Sequence, residues 1–302
     1  MTTALYTHPD CDQHITPPGH PERVDRLKAV RRALDGWVLE RRECPLGTDE
    51  DILLAHWPEY LDLIKQSSPD KGWRQLDADT HMSPGSLTAA RRAVGGVIAA
   101  VDAVLAGEVT NAFCAVRPPG HHALKTLQMG FCLFGSVGIA AKHALERKGL
   151  SRVAIVDFDV HHGNGTEDLL WDEARVRFVS THQMPLWPGS GRPEDKGEHG
   201  QIMNRALRPG SDGAAMRTLY EREVLPWLLD YKPELVLVSA GFDAHLADPL
   251  AQLEWEAEDY TWLTERICEV SPHVVSALEG GYDLAALGES VAAHVKVLTE
   301  QG

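Results

Sequence analysis

Short apolar runs rich in valine, isoleucine and leucine recur along the chain, and each is followed by glycine, proline or a charged residue. Runs of this length and composition are typical of buried strands. They predict strands near residues 4–7, 112–116, 152–157, 176–180, 235–239 and 273–278. The sequence therefore contains enough buried strands for one sheet.

Longer segments between these runs predict helices. One begins at Pro21, because proline suits the first turn of a helix. The predicted helices cover residues 21–34, 50–55, 58–66, 86–105, 136–147, 212–230 and 256–270, with a loop over 77–84. Strands separated by helices form parallel sheets through right-handed crossovers. With no linker or repeat in the sequence, the pattern predicts one α/β domain over residues 1–302.

Composition narrows the functional classes. The net charge is −15, from 44 acidic and 29 basic residues, which argues against direct binding of nucleic-acid phosphates. The most apolar helix, over 93–106, contains Asp102 and is too short to span a bilayer, so no membrane association is expected. Five scattered cysteines and no evident signal peptide favour a reduced protein in the cytoplasm. Oligomeric state is left open.

The strand over 152–157 runs into a polar segment with the sequence Asp-Phe-Asp-Val-His-His-Gly-Asn-Gly. In an extended strand, alternate side chains project from the same face, so Asp157, Asp159 and His161 should point the same way. A carboxylate and an imidazole side by side can bind a divalent transition metal. The alternative is a strand that ends in polar residues because it meets solvent.

A third metal ligand is predicted at Asp243, which follows the apolar strand over 235–239. The alternative is an aspartate that caps the next helix. A catalytic zinc site usually has three protein ligands and an open position, which Asp159, His161 and Asp243 would provide. Ligands without thiolate favour Zn²⁺ or Fe²⁺ at a catalytic site over a structural zinc cage.

Two further segments carry candidate catalytic groups. Pro118-Pro119-Gly120 forces an irregular loop that delivers His121 and His122, and imidazole suits acid–base chemistry near neutral pH. Gly280-Gly281 lets the backbone approach a ligand closely before Tyr282, whose phenol could donate to an oxyanion. The alternatives are a solvated histidine pair and a tyrosine that only packs. In open parallel sheets ligands bind beyond the carboxyl ends of the strands, where all these residues lie.

Several ordered motifs resemble the zinc-dependent histone deacetylase superfamily. They span about residues 5–295, nearly the whole chain, and the asparagine of His-Gly-Asn-Gly-Thr is similar to the class II and bacterial amidohydrolase-like branch. The resemblance implies an arginase/deacetylase-like α/β fold with a sheet of about eight strands. The matching segments are 19–23, 118–122, 130–132, 157–166, 188–191, 241–243 and 280–282.

The resemblance also implies roles. His121 pairs with Asp157 as an electrostatic helper, and His122 pairs with Asn164 as general base and then acid. A carboxylate partner favours the imidazolium, whereas a neutral amide leaves the pKa of His122 nearer its reference. A weaker implication is a K⁺ site formed largely by backbone carbonyls. Its residues would be Asp157, Asp159, His161, Ser180 and Thr181.

Four residues are implied to contact substrate. Phe131 and Trp187 match the aromatic walls of an acyl-lysine tunnel, Leu250 matches a position where polyamine deacetylases can carry glutamate, and Asp79 could bind substrate amides. Core packing for Trp187 and an exposed loop acid for Asp79 are the alternatives. The predicted activity is deacylation of acyl-lysine in a peptide or protein, or of a small acylated amine. Competing hypotheses are an acetylpolyamine deacetylase and a catalytically silent acyl-lysine binding module.

Overall fold

The computed structural model describes residues 2–301 and contains ten strands. Four of them, β5, β6, β9 and β10, are fully buried, as expected for short, mostly apolar runs covered on both faces. The strands are β1 Thr3–Thr7, β2 Glu40–Glu43, β3 Arg74–Gln75, β4 His81–Met82, β5 Asn111–Cys114, β6 Val153–Asp157, β7 Val176–Gln183, β8 Ile202–Leu207, β9 Leu235–Ala240 and β10 Val274–Leu278.

Helices connect most of the strands, and their apolar faces are buried. A short 3₁₀ segment, Pro9–Gln13, precedes the first α-helix. The helices are α1 Asp25–Ala33, α2 Asp49–Ile52, α3 Pro58–Ser67, α4 Ser86–Leu105, α5 Ser136–Glu146, α6 Asn164–Leu169, α7 Gly213–Leu219, α8 Leu225–Tyr231, α9 Ala257–Val270 and α10 Leu284–Glu300. Among the described residues, no helix is both long and apolar enough to cross a membrane.

Eight strands form one sheet in the order β2-β1-β5-β10-β9-β6-β7-β8, and every neighbouring pair is parallel. The predicted α/β fold, with a parallel sheet of about eight strands flanked by helices, is confirmed. β3 and β4 form a separate antiparallel pair. Because all eight strands run the same way, their carboxyl ends share one edge, where a site is expected in such folds.

Several element boundaries differ from the sequence prediction. The first helix begins at Asp25 and not at Pro21, because Glu22 turns inward and is fully buried in a loop. The predicted loop over 77–84 contains β4. The helix predicted over 212–230 consists of α7, a π-helical turn over Tyr220–Val224 and α8, with Pro226 at the start of α8. A proline suits the first turn of a helix and not its interior.

The sequence prediction omitted the short helix α6 and three further elements of the main fold. β2 has only charged residues, Glu-Arg-Arg-Glu, so it lacks an apolar signal; charged residues are common on edge strands. β8, at the opposite edge, is a half-buried strand with two polar residues. The third is α10, which packs against α1 and α9.

Candidate active site

Four neighbouring strands deliver the predicted site residues to one edge of the sheet. β5, β10, β9 and β6 lie side by side. The chain beyond β5 carries the two adjacent histidines, and the chain beyond β10 carries Tyr282. The segments after β9 and β6 carry Asp243 and the Asp159–His161 pair. Residues far apart in sequence therefore converge because their strands are neighbours.

The predicted metal ligands form a compact group. One ligand atom from each of Asp159, His161 and Asp243 lies within 4.8 Å of the others. Nδ1 of His161 is 3.2 Å from Oδ1 of Asp159 and 3.2 Å from Oδ2 of Asp243. The exposed fractions of the three residues are only 1%, 8% and 0%. The structure thus brings together all three predicted ligands.

The strand that carries Asp157 ends earlier than the sequence predicted. β6 stops at Asp157, so Asp159 and His161 lie in a bent segment beyond it and not on an extended strand. Backbone N–H groups of Asp159 and His161 donate to the carboxylates two residues earlier, at 3.2 and 2.9 Å. Such local side-chain to backbone bonds are typical of aspartate in turns. They turn the carboxylates and the imidazole toward the site.

Two glycines allow the carboxylates to sit this close to neighbouring backbone. A Cβ atom on Gly241 would overlap the carboxylate of Asp159, and one on Gly280 would overlap the carboxylates of both Asp159 and Asp243. The N–H of Gly280 donates to Oδ2 of Asp159 at 2.8 Å, and the N–H of Val160 donates to Oδ1 of Asp243 at 2.9 Å. The ligand carboxylates are therefore oriented by the main chain.

The donor set fits a divalent transition metal. Burial and the neighbouring carboxylate of Asp159 raise the pKa of Asp243, because the two acids lie close together in a buried position. Buried charges require compensation, and a cation among two carboxylates and an imidazole would provide it. Carboxylate and imidazole donors without thiolate suit Zn²⁺ and Fe²⁺, and three protein ligands leave a position open.

The two adjacent histidines have different partners. Nδ1 of His121 lies 3.0 Å from Oδ2 of Asp157, and its Nε2 lies 3.7 Å from Asp159. Burial opposes protonation of His121, but the carboxylates of Asp159 and Asp157 outweigh it and raise its pKa well above the ordinary value. The neighbouring carboxylates therefore favour the imidazolium form of His121.

His122 is instead held neutral. Its Nδ1 donates to the side-chain amide oxygen Oδ1 of Asn164 at 2.7 Å, which leaves Nε2 with a free lone pair in the neutral ring. Burial, followed by the nearby charges of His121 and His161, lowers the pKa of His122 well below its ordinary value. The sequence prediction considered only the amide partner and placed this pKa too near the reference.

Tyr282 contributes a protonated phenol. Burial raises its pKa well above the ordinary value, Arg26 opposes this shift, and the carboxylates of Asp243 and Asp159 add to it. The guanidinium of Arg26 lies 5.0 Å from the centre of the ring, and the ring of Phe131 packs edge-on at 5.9 Å. The hydroxyl therefore remains a hydrogen-bond donor near neutral pH.

A cavity of about 220 Å³ opens above these groups. His122, His161 and Tyr282 form its floor. All four predicted substrate contacts border it, together with two further residues. These wall and rim residues are Asp79, Gly130, Phe131, Leu186, Trp187 and Leu250. Trp187 packs edge-on against His122 at 4.8 Å, yet its exposed fraction is 42%, so it is a wall residue and not a core residue.

Three of the residues predicted to bind potassium, Asp157, Ser180 and Thr181, lie together on the neighbouring strands β6 and β7. Asp157 pairs with Ser180 in the register between β6 and β7, and the hydroxyl of Thr181 lies 3.5 Å from the carbonyl oxygen of Asp157. The hydroxyl of Ser180 contacts His182 and the N–H of Gly163. The potassium role stays a prediction.

Sequence reasoning missed residues that hold these segments through backbone contacts. Glu279 is fully buried, and its Oε2 accepts from the N–H groups of Gly120 and His121 at 2.7 and 3.1 Å. Arg26 donates to the carbonyl oxygens of Glu279 and Gly281. The one available signal was position: Glu279 directly precedes the Gly-Gly-Tyr motif, and Arg26 follows the Gly-His-Pro-Glu-Arg motif.

The rim is fixed in a similar way. Phe131 has a left-handed backbone conformation with φ of 69°, which is uncommon for a bulky residue. Its N–H donates to the hydroxyl of Thr80 at 3.1 Å, and that hydroxyl donates to Oδ1 of Asp79 at 3.1 Å. Thr80 therefore connects the rim acid to the aromatic wall.

Comparison with known proteins identifies the family. The model of the histone deacetylase domain matches residues 20–298. The chain therefore belongs to the histone deacetylase family, which confirms the resemblance inferred from the motifs. Membership supports a deacetylase, and hence a hydrolase, function.

Individual relatives agree with this assignment. A histone deacetylase-like amidohydrolase of Pseudomonas aeruginosa is 38% identical, over 90% of this chain and 75% of that protein. A probable deacetylase of Archaeoglobus fulgidus is 36% identical, over 94% of this chain and 82% of that protein. The crystal structure of the HDA15 HD domain matches with a TM-score of 0.95 and 30% identity, covering 99% of this chain and 89% of that chain.

Proposed function

We propose that this protein is a metal-dependent amidohydrolase, with zinc as the first candidate metal and iron as the second. It would remove acyl groups from lysine side chains or from similar acylated amines. The observation that carries the proposal is the group of Asp159, His161 and Asp243, of which His161 lines the floor of an apolar cavity beside the imidazole of His122 and the phenol of Tyr282. These are the parts that amide hydrolysis requires.

Asp159, His161 and Asp243 would hold the metal, which when bound would polarise the amide carbonyl and acidify a water molecule. His122 accepts a proton at Nε2, because Nδ1 is committed to Asn164. It then gives that proton to the departing amine. The hydroxyl of Tyr282 donates to the oxygen that becomes negative. His121 stays protonated beside Asp157 and offsets the buried negative charge.

The walls favour a neutral acyl-lysine chain over a polycation. Phe131, Leu186, Trp187 and Leu250 give the cavity an apolar lining, and Asp79 at the rim is the only acid that borders it among residues 2–301. The net charge of −15 would attract polyamines in general. Selectivity nevertheless depends on contacts that differ between substrates, so the apolar Leu250 decides in favour of acyl-lysine.

Two further assignments accompany this proposal. We place a K⁺ ion at the backbone carbonyls around Asp157, Asp159, His161, Ser180 and Thr181, as a structural support of the metal ligands. The protein would act in the cytoplasm, because its five cysteines are all free and mostly buried, as in a reducing compartment.

The decisive experiment measures turnover by purified, metal-loaded protein. Substrates are an acetyl-lysine peptide, peptides with longer acyl chains, and acetylspermidine, and the metal content is measured in parallel. We expect acetate release from the peptide that stops on chelation and returns when zinc is added. Binding of the acetylated peptide with no turnover of any acyl amide would instead establish a silent binding module.

A higher kcat/KM for acetylspermidine than for every acyl-lysine peptide would reverse the substrate ranking. His199→Ala serves as a control variant, because His199 is exposed and lies outside the cavity lining. It should retain full turnover. This separates loss of the proposed base from a general effect of removing a histidine.

A further inference from the structure

A buried carboxylate outside the motifs, Asp248, joins the wall of the cavity to its floor. Its exposed fraction is 7%. Oδ2 accepts from the N–H of Tyr282 at 2.7 Å and, more weakly, from the N–H of Asp283 at 3.4 Å. Oδ1 accepts from the N–H of Leu250 at 3.0 Å. One side chain therefore binds the backbone of two residues that line the cavity, 32 positions apart in sequence.

We propose that Asp248 is a positioning residue that sets the phenol of Tyr282 and the side chain of Leu250 relative to each other. This inference rests on the proposed amidohydrolase function and on Tyr282 as the oxyanion donor. Asp248 reaches neither cavity nor reacting atoms itself, since it is absent from the cavity lining. Its effect on the reaction passes through the backbone of the residues that it holds.

The local geometry explains why a carboxylate is needed. Both oxygens of a carboxyl group can accept hydrogen bonds, so they can serve N–H donors on both sides at once. An asparagine has only one acceptor oxygen. If that oxygen accepted from the N–H of Tyr282, the amide NH₂ group would face the N–H of Leu250, and two donors would then oppose each other. An alanine would leave the N–H groups of Leu250 and Tyr282 without this partner.

The backbone around Tyr282 has few other restraints on that side. Gly281 has φ of 117°, a conformation open chiefly to glycine, so the chain changes direction directly before Tyr282. Arg26 holds the carbonyl oxygen of Gly281, and Asp283 begins α10 by capping it. The bond from Asp248 is the one that fixes the N–H of Tyr282 itself.

The test is a double-mutant cycle with Tyr282→Phe. Asp248→Ala should lower kcat about tenfold or more with a smaller change in KM, because a misplacement near 1 Å can cost ~10²-fold. In the Tyr282→Phe background, the same substitution should cost less than about twofold in kcat, since the hydroxyl that it positions is already gone. Equal losses in both backgrounds, or no loss in the wild type, would overturn the proposal.

Asp212→Ala is the matched control. Asp212 also accepts a backbone N–H, that of Ala215 at 2.9 Å, but it caps α7 away from the cavity lining. This control should lower the Tm and leave kcat unchanged. If Asp248→Ala does not fold, Asp248→Asn carries the same cycle, with about a threefold or larger loss of kcat expected because the amide serves only one side.

Crystal structures of Asp248→Ala or Asp248→Asn supply a readout that does not depend on turnover. We expect the ring of Tyr282 and the side chain of Leu250 to move relative to Asp243, with the sheet unchanged. Unmoved positions of both residues would refute the positioning role. If the wild-type protein hydrolyses no acyl amide, the proposed function fails, and the crystal structures still decide whether Asp248 positions these two residues.

Discussion

The floor of the cavity and its walls are built by different means. The floor residues His122 and His161, and the predicted metal ligands Asp159 and Asp243 beside them, follow central strands of the sheet and are almost fully buried. The wall residues are on longer loops, and Trp187 and Leu250 remain partly exposed. Rigid elements suit chemistry, and loops suit adaptation to a substrate. Substitutions on the floor should therefore abolish the reaction, and those on the wall should only redirect it.

The largest effect is expected from Asp243→Ala. Losing one of three ligands should reduce the zinc content and lower kcat/KM by more than ~10³-fold. This loss is larger than the one expected from removing a single oxyanion donor. The metal-free variant should fold normally, because the substitution removes one of two crowded buried carboxylates. Metal analysis, turnover and circular dichroism check this. Full zinc occupancy with normal turnover would exclude Asp243 as a ligand.

The next largest loss should follow His122→Ala. Proton transfer by a positioned side chain contributes ~10²–10⁴-fold, and it acts in the transition state, so kcat should fall by this factor with little change in KM. Zinc content should stay at the wild-type level, since His122 is not among the three grouped donors. A variant with wild-type kcat would assign the base to His121 or to another group.

Tyr282→Phe should cost on the order of 10²–10³-fold in kcat, the usual effect of removing one oxyanion donor. Metal content and substrate binding should persist, so this variant is suited to trapping a substrate complex. Tyr231→Phe is the matched control, because the hydroxyl of Tyr231 lies outside the cavity lining and accepts or donates no hydrogen bond within the described residues. Near-normal kcat in Tyr282→Phe would make Tyr282 a packing residue.

The smallest effect on catalysis, and the largest on selectivity, is expected at the wall. Leu250→Glu places a carboxylate at the cavity and should raise the ratio of kcat/KM for acetylspermidine over acetyl-lysine peptide by about tenfold, with the gain reduced by salt. Leu246→Glu, at an exposed leucine outside the cavity lining, adds the same charge to the same loop and should leave the ratio unchanged. Equal responses in both variants would show that only overall charge matters.

The sequence predicted the candidate metal ligands and Asp157 better than the residues that hold the surrounding backbone in place. Asp157, Asp159, His161 and Asp243 directly follow apolar runs, so position in a parallel sheet was enough to bring them together. Asp248, Glu279 and Arg26 act on backbone groups, and some partners are far away in sequence, as with Arg26 and Gly281. Backbone N–H and carbonyl groups are common to almost all residue types, so the sequence does not show which of them a side chain will contact. These contacts therefore could not be predicted.

The same limit explains the missed elements of the fold. Buried central strands can be predicted from their apolar runs, whereas β2 is an edge strand made of Glu and Arg. Its pairing with β1 depends on main-chain hydrogen bonds. The pKa of His122 was misjudged for a related reason, because two of its three main causes are imidazoles brought near by folding.

The position of β10 has a consequence for synthesis of the protein. Of the strands within residues 2–301 it is the last to be synthesised, yet it lies between β5 and β9 near the middle of the sheet. Until it emerges, the chain can form only two separate half-sheets with unpaired inner edges, which are prone to aggregate. The three metal ligands already belong to one half, so a nascent chain could capture its metal before the halves join. His122 belongs to the other half and Tyr282 to the segment that follows β10, so catalysis would begin only after β10 and Tyr282 have been synthesised.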